Sequence, residues 1–369
     1  MKFTCEKAAL VSAVFTAQRA VSSKSSIPAL EGILIEADKT LMISGYNMQT
    51  GIRCRVEAEI LAEGSLVLNA RLFGEIVRRM PDDALCFESD DKGLARLSCG
   101  DARFEISGLN ANDFPELPEV ENNCSFSVMQ KTLRAMLNET GFAVSTNEAR
   151  PVHTGSLFEV GDSGLTVVSV DGFRLALRRE PLERIEGGSF HFVAPGSALN
   201  EVEKICADSE DLACVTMGDR HVLFEVGDTE LICRRLEGEF LDYKNAIPRR
   251  NPISLVADTR AMLESLERVS VVISEKLKSP VRCVFESDRV LLSAKTASGD
   301  AKDVCRIVGD GNGLEIGFNN KYLMDALRYA PADSVKIELN TGISPAIIVP
   351  VDGSDSFLYM VLPVRLKAN

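Results

Sequence analysis

Three histidines, His153, His191 and His221, supply every imidazole in the chain, and no two have the short helical or turn spacing that presents a pair of ligands to a metal. The paired carboxylates Asp82-Asp83 and Asp90-Asp91 could hold a cation, but Pro81 and Gly93 flank them and both pairs read as solvated turns. Neither G-x-x-x-x-G-K-[ST] nor G-x-S-x-G occurs, and Gly309, Gly311 and Gly313 lie in a polar stretch that reads as a loop between strands. The ten cysteines are dispersed, with no C-x-x-C and a closest spacing of eight residues. No nucleophile, metal centre or phosphate cradle is signalled, so the chain is expected to act without catalysis, metal or cofactor.

What the sequence does repeat is a set of cations on amphipathic stretches. Arg19, then Arg71, Arg78 and Arg79, then Lys131 and Arg134 lie off the apolar stripe of a helical pattern, as do Lys204, Arg260, Arg268, Lys321 and Arg328. Glu75, Glu139, Glu201, Glu203, Glu264, Glu267 and Asp325 share those faces, as on any solvated helix. Gathered around one hole, the same faces would make a modestly positive lining suited to phosphates rather than bases. The net charge of −13 argues against a surface that coats nucleic acid everywhere, so any such contact must be local. Divided at residues 122 and 250, the chain carries −6, −6 and −1, so no third is basic.

The elements that position these residues come in three copies. KFTCEKAALVSAVFTAQRAV from Lys2, SFSVMQKTLRAMLNETGFAV from Ser125 and PISLVADTRAMLESLERVSVVI from Pro252 each read as a short alternating strand followed by an amphipathic helix. The helical stripes are Leu10, Val14, Ala17 and Val21, then Leu133, Met136, Leu137 and Thr140, then Met262, Leu263 and Leu266. A second strand-to-helix pattern follows in each copy, SLVLNARLFGEIVRRM, FHFVAPGSALNEVEKI and LEIGFNNKYLMDALRY, at offsets of 66, 68 and 65 residues. Between them GILIEADKTLMISGYN, SLFEVGDSGLTVVSVDGF and VRCVFESDRVLLSAKT are versions of one hairpin. The expected class is α+β, three tandem domains each with two helices packed on antiparallel sheets. Pro-rich joins, DFPELPEVENN and IPRRNP, place the domains at 1–122, 123–250 and 251–369.

Hydrophobic residues at 45% and charged residues at 26% are those of a soluble globular protein. No apolar run is long enough to span a membrane, and Glu6 and Lys7 interrupt what a signal peptide would need clean. Most cysteines lie in apolar strand-like runs, where a reduced thiol is a small hydrophobe, so a reducing cytoplasm is expected.

One hairpin stands out. In VVSVDGFRLAL, from Val167, the β-branched Val167, Val168 and Val170 lead to the turn pair Asp171-Gly172, and a second strand resumes with Phe173, Leu175 and Leu177 on one face and Arg174 and Arg178 on the other.

The D-G-F-R-L-A turn, the final strand SFLYMVLPVRL from Ser356, RPVHTGSLFE from Arg150, LDYKNAIP from Leu241 and the threefold repeat together resemble the β subunit of bacterial DNA polymerase III, the sliding clamp family. The resemblance spans the whole chain and implies a head-to-tail homodimeric ring of six similar DNA-clamp domains. Helices would line the hole, double-stranded DNA would be held without sequence preference, and the replicative polymerase would be tethered as a processivity function. It implies partners beyond DNA: the polymerase, a clamp loader and other proteins carrying a short clamp-binding motif, with no membrane partner. These peptides would enter a pocket whose matching positions are His153, Gly155, Val170, Gly172, Phe173, Arg174 and Leu175. The pocket would continue through Leu241, Asn245, Ala246, Tyr322 and Ser344, and through Leu362, Pro363, Val364, Arg365 and Leu366. Aliphatic walls would take leucine and phenylalanine anchors, with Arg174 and Arg365 as polar contacts at the rim.

The same resemblance points to Lys24, Arg71, Arg78 and Arg150 as DNA contacts, while a lysine expected near Pro195 to Ser197 is missing. Ring closure would join Arg96, Arg103, Ile106 and Leu109 of one chain to Val272, Ile273, Asp300 and Asp303 of the other, a heterologous contact that closes. Relatives commonly carry an aliphatic residue at His153, a histidine at Phe173 and a proline at Leu241, so the pocket is expected to differ in shape. Lys367, Ala368 and Asn369 extend past the usual terminal leucine. The alternative is a peptide-binding scaffold or adaptor that does not encircle DNA; an enzyme of unrecognised type with its site in a cleft is the weaker third reading.

Overall fold

The computed structural model describes residues 1–121, 124–182, 184–274 and 279–366. Its helices are α1 (Lys7–Ala17), α2 (Ala70–Arg79), α3 (Gln130–Gly141), α4 (Gly196–Ile205), α5 (Tyr243–Ala246), α6 (Thr259–Ser270) and α7 (Asn320–Arg328). Six of these are the expected repeated helices, and each follows a strand at once: Lys2–Glu6 into α1, Gly64–Asn69 into α2, Cys124–Met129 into α3, Phe190–Pro195 into α4, Ile253–Asp258 into α6 and Leu314–Phe318 into α7. The side chains of Asn69, Asp258 and Asn319 accept hydrogen bonds from backbone N–H groups three residues on, at 3.0, 2.7 and 3.3 Å, and so start α2, α6 and α7. The one-turn α5 has no counterpart in the repeat reading. Arg19 lies not in α1 but in the 3₁₀ turn Gln18–Ala20 beyond it.

The chain gathers into two compact units, Met1–Arg134 with Glu183–Gly188 and Asn200–Arg235, and Ala135–Leu182 with Ser189–Leu199 and Leu236–Asn369. The middle third of the sequence is therefore divided between them, because backbone pairing continues past the boundaries between repeats. In the first unit Thr50–Val56 pairs with Thr229–Arg234, making one sheet of nine strands, and a second sheet has five. In the second unit Arg174–Glu180 pairs with Phe357–Val361, making one sheet of thirteen strands. The three predicted hairpins form: Gly32–Ala37 with Leu41–Tyr46, Gly155–Gly161 with Gly164–Val170, and Val281–Phe285 with Arg289–Thr296.

Each unit is closed by apolar packing under its helices. In the first, Leu10, Ala13, Val14 and Ala17 of α1 are buried, and α1 sits so close to Gly45 that a Cβ there would lie 2.1 Å from the Ala17 carbonyl oxygen. Phe3 and Phe87 stack beneath, with ring centroids 4.8 Å apart. In the second, Met262, Leu266 and Val269 of α6 pack with Phe285, Phe318, Phe357 and Tyr359, each side chain contributing about 1.5–3 kcal/mol on burial. Tyr359 is fully buried and donates its hydroxyl to the Tyr329 carbonyl at 2.9 Å, so its polar atom is satisfied.

All ten cysteines are free thiols, and only Cys86, Cys124 and Cys214 are half-buried; the other seven are buried. Burial pushes the Cys5, Cys206 and Cys283 thiols up to about 12, which suppresses the reactive thiolate. Titration of the folded chain with an aromatic disulfide reagent should therefore show at most three fast thiols, and all ten after denaturation. Rapid reaction of most of the ten in the native state would contradict this packing.

Candidate peptide-docking site and nucleic-acid contacts

The VVSVDGFRLAL hairpin forms, with Val170 opposite Leu175 and Val168 opposite Leu177, but its tip is Gly172-Phe173 rather than Asp171-Gly172 and the second strand starts at Arg174, one residue later than expected. Asp171 shapes its turn: Oδ1 accepts from the N–H groups of Phe173 and Arg174 at 2.9 and 3.0 Å. Gly172 has φ 89°, a conformation glycine alone adopts freely. The turn leaves Phe173 59% exposed, with its ring 6.0 Å from Tyr322 of α7 and nearly parallel to it. The Phe173 carbonyl accepts from the N–H of Leu362 at 2.9 Å and fastens the C-terminal segment beside the turn. Pro363 and Val364 then pair with Phe318 and Gly317, and Leu366 packs over Gly317.

Arg174 is not a rim residue, as the sequence reading had it. It is 8% exposed, because both faces of its strand are covered. Its Nε donates to Asp171 Oδ2 at 2.9 Å and its Nη1 to Asp325 Oδ2 of α7 at 2.6 Å. Its guanidinium carbon lies 4.6 Å from the centroid of Tyr322 and 5.3 Å from that of Phe142. Arg328 reaches the other oxygen of Asp325 at 3.4 Å. Arg178 is buried in the same way, with Glu139 at 2.5 Å and Glu180 at 2.6 Å. The expected outward face of the second strand is thus an internal ionic layer that fixes the aromatic pair above it.

Val170 and Leu175 lie in the apolar floor with Val152, Leu157, Tyr243 and Met360. Gly155 is a packing residue, since a Cβ would meet the Ala194 carbonyl oxygen at 2.2 Å. His153 is 8% exposed, edge-on to Phe240 at 5.5 Å, and burial, with Arg150 nearby, holds its imidazole below the usual value. Leu241 is 40% exposed, and Asn245 and Ala246 lie exposed in α5. The Ser344 hydroxyl is bonded to that of Thr341 at 2.7 Å, and Arg365 is exposed. The sequence reading missed Ile343, 80% exposed beside Ser344; its signal is a lone large apolar residue in the polar turn N-T-G-I-S. Lys367, Ala368 and Asn369 lie outside the described residues.

Of the expected DNA contacts in the first unit, Arg71 and Arg78 share one face of α2, two turns apart, and Lys24 is exposed. Arg78 is held by Glu75 at 2.9 Å, whereas Lys24 and Arg71 make no ion pair among the described residues. In the second unit Arg150 is likewise exposed and unpaired among the described residues. Several of the other cations are neutralised, Lys131 by Glu210, Arg19 and Lys204 by Glu201, Arg260 by Glu264, whereas Arg134 and Lys321 make no ion pair among the described residues.

The expected interface residues Arg103 and Ile106 lie on the strand Ala102–Ser107, which among the described residues pairs only with Leu94–Cys99 and so forms a sheet edge; Phe104 there is 38% exposed. Leu109 follows, 44% exposed, and Arg96 is already paired with Glu105 at 3.0 Å. In the second unit Asp300 is exposed near the start of Gly299–Val308, whereas Asp303 is bound by Arg268 at 2.5 Å. Val272 is half-buried and its carbonyl accepts from Thr296 at 2.9 Å, and Ile273 packs against the core. Among the described residues no cluster of three His, Cys, Asp or Glu side chains could hold a metal ion.

Replacing Arg174 by alanine would leave Asp325 buried without its closest cation, which costs about 3–5 kcal/mol. Urea unfolding should therefore show Arg174→Ala strongly destabilised and Arg260→Ala, at an exposed pair, within about 0.5 kcal/mol of the parent. Equal stability of the two variants would contradict the ionic layer.

Three family models cover the chain in order: the N-terminal domain of the DNA polymerase III beta subunit at residues 1–118, its central domain at 127–242 and its C-terminal domain at 244–365. The beta sliding clamp of Bacillus subtilis is 30% identical over 99% of this chain and 100% of its own length, and that of Synechocystis is 33% identical over the same shares. Among solved structures, the DNA polymerase sliding clamp of Bacillus subtilis matches with a TM-score of 0.94 at 29% identity, covering 100% of both chains. The DNA polymerase III subunit beta of Pseudomonas aeruginosa matches with a TM-score of 0.94 at 26% identity, covering 99% of this chain and 100% of that one. Hairpin, final strand and threefold α+β repeat thus have one source: the chain belongs to the DNA polymerase III beta subunit family, the beta sliding clamps.

Proposed function

We propose that this chain forms a head-to-tail homodimeric ring around duplex DNA and holds a replicative polymerase there through a peptide groove at Phe173. As a beta sliding clamp it is a non-catalytic processivity factor of DNA replication. The finer reading takes the domains as 1–122, 123–250 and 251–369 and the compartment as the cytoplasm. No helix among the described residues is long and apolar enough to cross a membrane.

The observation that carries the groove is Phe173, 59% exposed on a turn held by strand pairing and by Arg174 and stacked near Tyr322. Leu241 and Ile343 of the same unit are also exposed, 40% and 80%. Exposed apolar side chains of this kind suit a short segment with leucine or phenylalanine anchors, because a few desolvated apolar contacts supply most of the affinity at such sites. Clamp-loader and polymerase segments, and those of other clamp-binding partners, would compete for it. The Lys24, Arg71, Arg78 and Arg150 side chains would meet phosphates, a contact that tolerates sliding because it reads no bases. The exposed edge at Ala102–Ser107 supports ring closure by strand addition against residues 299–306, which pair on one side only among the described residues, with Arg103 and Asp300 as the pair free to meet across it.

The groove is tested by binding of a fluorescent peptide carrying adjacent leucine and phenylalanine anchors. Phe173→Ala should weaken it at least tenfold, about 1.4 kcal/mol, without changing the unfolding midpoint materially, because Phe173 is mostly exposed. Unchanged affinity would refute the assignment.

A further inference from the structure

The register of the two large sheets makes one face of the first unit a counterpart of the face that carries the groove. In the second unit Leu175 faces Met360, and Met360 faces Ile347. In the first, Gly51 faces Ile232, and Ile232 faces Leu223. Leu34 stands opposite Val67 as Leu157 stands opposite Val193. A connecting segment enters each face by the same bond, Leu109 N–H to the Val67 carbonyl at 2.8 Å and Leu236 N–H to the Val193 carbonyl at 2.9 Å.

The two faces differ in what lies on them. Where the second has Leu175 the first has Gly51, and Leu117 descends over it, so that a Cβ on Gly51 would meet Leu117 Cδ2 at 2.8 Å. Beside this seat is a cleft of about 1030 Å³. Leu34, Leu223 and Ile232 contribute its floor, and Phe114, Leu117 and Val120 one wall. Its charged lining is Glu36, Glu116, Glu119, Glu230 and Arg53, a net −3. Arg53 is paired with Glu230 at 3.4 Å. Glu36, Glu116 and Glu119 have no side-chain hydrogen bond or ion pair among the described residues.

We propose that this cleft is a second docking site, for a short partner segment in which an apolar side chain is flanked by lysine or arginine. An apolar floor rewards the removal of a leucine-sized side chain from water, and three unpaired carboxylates around it attract a cation on either side. The selectivity is the reverse of the proposed Phe173 groove, where the exposed side chain is aromatic and the carboxylates Asp171 and Asp325 are already committed to Arg174. The proposal does not depend on the groove.

The test uses the full chain and a fluorescein-labelled heptapeptide alternating lysine and leucine, read by anisotropy near physiological salt. Replacing Glu36, Glu116 and Glu119 together by glutamine should weaken binding at least tenfold. Replacing the exposed Glu57, Glu59 and Glu63 by glutamine removes the same formal charge elsewhere and should change binding less than twofold. A lysine–serine peptide should bind at least tenfold more weakly than the lysine–leucine one, and Phe173→Ala should leave the latter unchanged. Equal loss in the two glutamine variants would reduce the effect to net charge and overturn the proposal. So would no binding by the parent chain, or displacement of the probe by the leucine–phenylalanine peptide.

Discussion

Backbone pairing between repeats is the constraint on which the rest of this structure depends. Thr50–Val56 against Thr229–Arg234 and Arg174–Glu180 against Phe357–Val361 each join strands from different thirds of the sequence. A strand edge left open inside such a chain would expose a row of unpaired N–H and C=O groups, and pairing across the repeats removes it. The contacts of the middle third are therefore divided between two units. The same pairing fixes the distance between the Asp171 turn and the C-terminal segment, so the proposed groove is positioned by sheet register rather than by loop conformation.

The ionic layer under that groove gives the pairing its second constraint. Arg174 and Arg178 sit in the sheet where apolar residues would be the ordinary choice, and each is compensated by two carboxylates. A guanidinium also offers a flat face to Phe142 and Tyr322, which lysine could not do. Phe173 is then presented to solvent on a base tied by strand pairing and ion pairs, which lowers the ordering cost of binding through an exposed aromatic ring.

Much of this was legible in the sequence. The threefold strand-to-helix repeat and the three hairpins follow from hydrophobic period and turn chemistry and appear at the expected residues, while the turn read at Asp171-Gly172 forms with its tip one residue later. The burial of Arg174 was not legible, because alternation predicts only that its side chain leaves the Leu175 face, not that a helix carrying Asp325 covers the other side. Ile343 escaped for the opposite reason: an apolar residue in a turn has no period to mark it. Nor could the stripes of cations reveal their pairing, since the partners of Arg19 and Lys131, Glu201 and Glu210, lie far along the chain. What remains unpaired among the described residues is a sparse set, Lys24, Arg71 and Arg150 among them, on a chain of net charge −13.

A sparse set of cations holds DNA only weakly by charge alone at physiological salt, so under the proposed function retention would come from closure around the duplex. The direct measurement is retention of the chain, loaded onto nicked circular DNA by a clamp loader, through gel filtration before and after the circle is cut once. The account predicts that the protein stays with the circle at a salt concentration that abolishes ionic binding and is lost on linearisation. Equal retention on, or equal loss from, both forms would contradict it.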